Sequence, residues 1–232
     1  MTTQTTKHVL MVLTSHAELG NTGDKTGFWV EEFAAPYYAF IDAGIQVSLA
    51  SPAGGQPPID PKSELEDFQT AFTKRYDTDS EVQALMAKTA VLASVNEEAY
   101  DAVFYPGGHG PLWDLTDNTD SITLIENFLA ANKPIAAVCH ATAAFLNAKD
   151  AAGEYVVKGK GITGFSNSEE DAVQLSEIVP FLLEDELIKR GGDYQKVADW
   201  NAFAIQDGLL ISGQNPQSSE LAAAKLVAHL AG

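Results

Sequence analysis

The chain has 232 residues and a net charge of −18, with 14 Lys and Arg against 32 Asp and Glu. Its length fits one α/β domain, and an apolar content of 45% supplies a core and argues against disorder. A surface this acidic repels phosphate backbones and anionic lipid, which excludes nucleic acid or a membrane face as the main partner.

The amino-terminal residues 1–16 carry an apolar run of only five, Val9 to Leu13, too short for a signal peptide or a spanning helix. The default compartment is therefore the cytosol. The single cysteine, Cys139, excludes an intramolecular disulfide and a cysteine-based zinc site.

Along the chain the hydrophobic period alternates between strand-like and helix-like, the signature of a layered α/β fold. Short apolar runs at residues 8–13, 46–50, 102–105, 135–138 and 209–212 read as strands covered on both faces. Residues 28–43 have apolar positions close to helical spacing and stop at Gly44. Residues 121–132 put Ile122, Ile125, Phe128 and Leu129 on one stripe, ahead of Pro134. Residues 218–230 form a last helix, with Asn215 before Pro216 placed to cap it. Residues 57–96 fit the alternation poorly, carry PPIDPKS and two charged helical patterns, and read as an insertion or lid. Residues 153–164 read as a hairpin through a Lys-Gly-Lys turn. With no repeat, low-complexity tract or linker, one domain over 1–232 is expected.

The densest chemical signal is IAAVCHATAAF at residues 135–145, where a four-residue apolar run feeds into Cys-His and then into slim, helix-forming residues. This is the strand–turn–helix pattern of a nucleophile elbow, which needs small neighbours because the chain folds back closely around the nucleophile. A helix starting at Cys139 aims free N–H groups and its positive end at the sulfur, so a lowered thiol pKa is expected. Most cysteines are small buried hydrophobes. Here Cys139 ends the apolar run and His140 follows it, which favours a reactive thiol.

The second signal is DAVFYPGGHG at residues 101–110, a strand ending in bare backbone at the sheet edge where α/β proteins bind ligands. The N–H groups of Gly108 and His109 are placed to form half an oxyanion hole, with that of His140 as the other half. Taken alone this is an ordinary glycine-rich βα turn; paired with a cysteine elbow it gains specificity. Glu31 and Glu32 begin the first helix, and because adjacent helix positions point about 100° apart only one faces the site. A glutamate in an apolar pocket beside the cysteine has a raised pKa and can hold or pass a proton. Glu169 and Glu170 pose the same choice, with Ser166 or Ser168 as a cap. His8 reads as a strand-start surface residue, His16 as a loop or pocket residue, and His229 as part of the last helix. Neither paired histidines at ligand spacing nor HExxH occurs, so no metal is expected to be required.

These blocks resemble the ThiJ/PfpI superfamily of class I glutamine amidotransferase-like proteins, and within it the heat-shock chaperone-like branch with glyoxalase III activity. The likeness rests on the order and spacing of LTS after the first strand, KTGFWVEE, DAVFYPGGHG, AAVCHA, KGKGITGFSNSEE and SGQNPQSS. It implies a flavodoxin-like three-layer α/β sandwich, with a mostly parallel sheet and helices on both faces. It also implies a cofactor-free homodimer that converts methylglyoxal or related 2-oxoaldehydes to 2-hydroxy acids. Carried over block by block, the nucleophile falls on Cys139 and its partner on His140. The acid beside the sulfur falls on Glu32, and the acid orienting the histidine on Glu170, one step from Glu169. Relatives are also ascribed holdase, protein deglycase and peptidase activities.

The residues suit that chemistry: thiolate addition to an aldehyde, an oxyanion held by backbone N–H groups, proton movement by Glu32 or His140, then thioester hydrolysis. Neither GxGxxG nor a P-loop signals a nucleotide cofactor. A glutamine amidotransferase needs a histidine well downstream of the nucleophile, and only His229 follows His140. A cysteine peptidase shares the nucleophile, but nothing marks a peptide groove. A chaperone or a thiol redox sensor, in which Cys139 is oxidised rather than turned over, is the rival from another class.

Overall fold

The computed structural model describes residues 6–232; residues 1–5, part of the stretch read as carrying no leader, lie outside the described residues. Nine strands follow in chain order: β1 (His8–Val12), β2 (Gln46–Ser51), β3 (Ala90–Val91), β4 (Ala102–Tyr105), β5 (Ile135–Val138), β6 (Gly161–Ile162), β7 (Asp193–Tyr194), β8 (Ala204–Asp207) and β9 (Leu210–Gly213). Seven form one sheet in the order β3-β2-β1-β4-β5-β9-β8. All neighbours in it are parallel except the β8–β9 hairpin, which turns through Gly208 at φ 62°. The central strands β4 and β5 are buried at every position, and β1 at all but its first, because helices cover both faces and leave no wet side for polar residues.

The helices are α1 (Val30–Asp42), α2 (Ala71–Thr78), α3 (Ser80–Met86), α4 (Pro111–Asp114), α5 (Thr119–Ala130), α6 (Asn167–Ala172), α7 (Leu183–Lys189) and α8 (Ser219–Ala231). From β1 the chain crosses through α1 to β2 on one side, and from β4 through α5 to β5 on the other. With right-handed crossovers, that reversal puts α1 and α5 on opposite faces. Helix α8 packs beside α1. The result is the flavodoxin-like three-layer sandwich expected from the sequence. The point where strand order reverses lies between β1 and β4, and the carboxyl ends of these strands and of β5 open a crevice there. Among the described residues, no helix is long and apolar enough to cross a membrane.

Two readings change. Residues 153–164 are not a hairpin: Tyr155 makes only an isolated bridge to Lys149, and β6 pairs in parallel with β7, Gly161 opposite Asp193 and Ile162 opposite Tyr194. The Lys-Gly-Lys turn exists, with Gly159 at φ 69°, but the strand it feeds finds its edge elsewhere. Asn215 caps a single 3-10 turn, Pro216–Ser218, which then leads into α8. Residues 57–96 hold α2, α3, short 3-10 turns and the edge strand β3.

Candidate active site

Strand β5 ends at Val138 in extended conformation, and Cys139 then turns to φ 59°. A β-carbon in this left-handed region costs about 1–2 kcal/mol, and the surrounding packing holds it there. A 3-10 helix, Cys139–Phe145, follows, with every residue buried and with alanines at 141, 143 and 144 letting the backbone fold close. This is the elbow expected from the sequence. The expected fall in the thiol pKa does not follow: burial, and after it the Glu32 carboxylate, push the Cys139 thiol well up. The helix start is a tight 3-10 turn whose His140 N–H favours the thiolate, but at 2% exposure the loss of water outweighs it. The sulfur lies 3.3 Å from His140 Nδ1.

Of the paired acids at the start of α1, Glu32 turns inward and is fully buried, whereas Glu31 is partly exposed and accepts from the Thr70 hydroxyl. Gly107 explains how Glu32 reaches the sulfur. A β-carbon at this position would fall 2.2 Å from Glu32 Oε2, 2.5 Å from the Val138 carbonyl and 3.0 Å from Cys139 Cβ. Burial drives the Glu32 carboxyl well above the ordinary range, against the Cys139 thiol and the Gly107 amide, which pull it down. Neither of its oxygens completes a well-formed hydrogen bond among the described residues. Burial thus favours the neutral form of the Glu32 carboxyl beside the sulfur, with hydrogen-bonding capacity left for a bound molecule.

Glu170 accepts from two imidazoles at once: His140 Nε2 at 2.7 Å and His109 Nε2 at 2.9 Å. Burial alone would raise its carboxyl, but the two histidines hold it well below the ordinary range. Burial, with His109 alongside, lowers the pKa of His140, so its ring is neutral with Nε2–H on Glu170 and Nδ1 facing the thiol. The sequence reading gave His109 only a backbone role. Its side chain is in fact a second partner of Glu170, and its ring centre lies 4.0 Å from that of His140. Sequence spacing hid this pair because the two residues come from turns after different strands. Glu169, also buried, is occupied elsewhere: it closes a capping box with Ser166 and accepts from the Trp200 N–H and Asn215 Nδ2.

Side-chain donor atoms of His109, His140 and Glu170 lie within 4.8 Å of one another, a set able to hold a divalent cation if both Glu170 hydrogen bonds were given up. The remaining histidines stand apart. His8 bonds Ser48, His16 donates to the Glu18 carbonyl and stacks on Trp113, and His229 meets Gln206.

Gly108 adopts φ 100°, and an added β-carbon would lie 2.4 Å from the Gly27 carbonyl, so only glycine fits. Among the described residues, the N–H groups of Gly108 and His109 donate to no protein acceptor. Cys139, His140, Glu32 and Gly108 line a cavity of about 400 Å³. Its remaining wall is mostly apolar, with Trp29, Phe68, Phe165 and Trp200 among its lining, and also carries Lys25, Asp60 and Lys62. Phe165 packs on His140 at 4.2 Å, and Trp200 meets Phe165 edge-on at 5.8 Å. Sequence reasoning missed these aromatics, since loop residues carry no periodicity. Only the places of Trp29 in the KTGFWVEE block and of Phe165 in the GFSNSEE block hinted at two of them.

The sequence matches the DJ-1/PfpI family over residues 25–229. It is 31% identical to a protein of Saccharomyces cerevisiae named glutathione-independent glyoxalase HSP31, covering 95% of this chain and 97% of that one. Among solved structures, Rapid Encystment Protein 24 KDa of Francisella tularensis superposes with a TM-score of 0.92 at 38% identity, covering 97% of this chain and 99% of the other. Glyoxalase III from Candida albicans superposes with a TM-score of 0.89 at 30% identity, covering 96% of each.

Proposed function

Because the chain belongs to the DJ-1/PfpI family, we propose that it is a glutathione-independent glyoxalase, converting methylglyoxal or a related 2-oxoaldehyde to the 2-hydroxy acid with no cofactor. One observation carries this reading. A strained, buried cysteine has an imidazole nitrogen 3.3 Å from its sulfur and, beside it, the buried Glu32 carboxyl with free hydrogen-bonding capacity.

Each group has a task. His140 Nδ1 takes the thiol proton as sulfur adds to the aldehyde carbon, and Glu170 stabilises the imidazolium that forms. The N–H groups of Gly108 and His109 stabilise the hemithioacetal oxyanion. The Glu32 carboxyl gives its proton to the adjacent ketone oxygen and takes the one on the former aldehyde carbon, forming an enediol. It then protonates the neighbouring carbon as it accepts the proton of the hydroxyl on the sulfur-bearing carbon, leaving a thioester and Glu32 again neutral. The thioester so formed takes up water, giving 2-hydroxy acid and free thiol. The aldehyde carbon is oxidised and its neighbour reduced, so the sum is substrate plus water, and neither hydride acceptor nor metal is called for.

Loss of methylglyoxal without glutathione tests the reading on wild type, Cys139→Ala and Glu32→Gln. Turnover that both changes abolish is the expected outcome; full turnover in Cys139→Ala would overturn the reading. The family resemblance further supports a homodimer in the cytoplasm, and residues 57–96, which bring Phe68 and Lys62 to the cavity, are proposed as its lid. Sedimentation of the purified chain at two copies is the expected result.

A further inference from the structure

The cavity is much larger than methylglyoxal requires. A molecule of five non-hydrogen atoms occupies a small part of about 400 Å³, a volume in the range of sites for ligands several times that size. The excess space is mostly apolar. Beyond the reacting groups Trp29, Phe68, Phe165 and Trp200 are its large apolar side chains, with Lys25, Asp60 and Lys62 as its charged ones.

Two of these rings are left open to water at the mouth, Phe68 at 43% and Trp200 at 40% exposed. Each is nonetheless fixed in place. Trp200 sits at φ 64°, a conformation unusual for a side-chain-bearing residue, with its N–H held at 3.0 Å by the buried Glu169 carboxylate. Phe68 stands edge-on to Trp29 at 5.0 Å. Aromatic side chains lining one cavity favour a flat apolar group that can stack or pack edge-on against them.

We infer that this site selects 2-oxoaldehydes bearing an aryl substituent over methylglyoxal, with Trp200 and Phe68 setting the preference. The inference rests on the glyoxalase reading above. For phenylglyoxal the step is the same: the aldehyde hydrogen moves to the benzylic carbon, water enters at the thioester, and mandelate leaves with the thiol restored.

The test compares kcat/KM for phenylglyoxal and methylglyoxal, both without glutathione, in wild type, Trp200→Leu and Phe68→Leu. A preference of roughly tenfold or more for phenylglyoxal is expected, the scale on which an apolar pocket separates substrates by size. In either variant that ratio falls toward one. A wild-type ratio at or below one, or one that neither variant changes, would overturn the aryl preference while leaving the glyoxalase reading in place. Turnover of neither aldehyde would overturn the glyoxalase reading. Binding then decides the rest through the fluorescence of Trp29 and Trp200: tighter mandelate than lactate binding, weakened in Phe68→Leu, supports aryl recognition, and equal binding refutes it.

Discussion

At Cys139 the protein places its most reactive atom in a costly conformation, at φ 59° and almost out of water. Nucleophilicity there depends on neighbours that move protons rather than on a thiolate stabilised in advance. In the proposed mechanism His140 is the acceptor and Glu170, bonded to its Nε2, fixes its ring, so Glu170→Gln should lower kcat about 100-fold while the fold stands, measured as methylglyoxal turnover beside the melting curve. A variant with unchanged kcat would remove Glu170 from the mechanism. Gly107 gives a purely steric test. Alanine there would drive its β-carbon into Glu32 and the Val138 carbonyl, so Gly107→Ala should cost more than tenfold in kcat/KM, and unaltered kinetics would mean that Glu32 is not needed where it stands. That Cys139, His140, Glu32 and Glu170 come together was legible in the sequence through local patterns and family likeness. The side-chain role of His109 was not, because it exists only once two turns from separate strands meet.

At the level of elements, strands and helices whose apolar periodicity is set by burial were readable within a residue or two. The strand at 135–138 matched, and the helix read at 121–132 forms as Thr119–Ala130. Residues 153–164 were misread because two-residue strands contain too few positions to show a period, and their partner is chosen by the tertiary fold. Packing makes the matched elements costly to alter: Phe104 in β4 is fully buried against Phe40 of α1, and Phe104→Ala should cost about 3–5 kcal/mol in chemical denaturation.

Helix α1 also carries a pH dependence. Burial pushes the Glu31 carboxyl up to about 7, against the Thr70 hydroxyl, which favours its charge. The folded protein then binds a proton that the unfolded chain releases in the ordinary carboxylate range. The resulting stabilisation is full at low pH and is lost as pH rises through about 7. Glu32 acts in the same sense, whereas Glu170, held low, contributes above the ordinary range and loses that contribution in acid. Glu31→Gln should therefore shrink the fall in Tm between about pH 5 and 8, and an unchanged fall would remove Glu31 as its source.

Over the whole molecule, the crevice at the strand-order reversal gathers groups from α1, the turn after β4, the elbow after β5 and α6. No single segment carries the site, which is why the spacing of several blocks said more than any one motif. The net charge of −18 acts across the entire surface, and carboxylates that repel one another destabilise the folded chain. Raising sodium chloride from about 0.05 to 0.5 M, which shortens the screening length, should raise Tm by a few degrees, and a fall would contradict that balance.

The central claim is that Cys139 converts a 2-oxoaldehyde to a 2-hydroxy acid without help from glutathione. Proton NMR of lactate formed from methylglyoxal, in glutathione-free buffer containing a chelator, measures this directly for wild type and Cys139→Ala side by side. One lactate per methylglyoxal consumed is expected from the wild type and none above background from Cys139→Ala. Lactate formed equally by both proteins, or methylglyoxal left unchanged by the wild type, would contradict it.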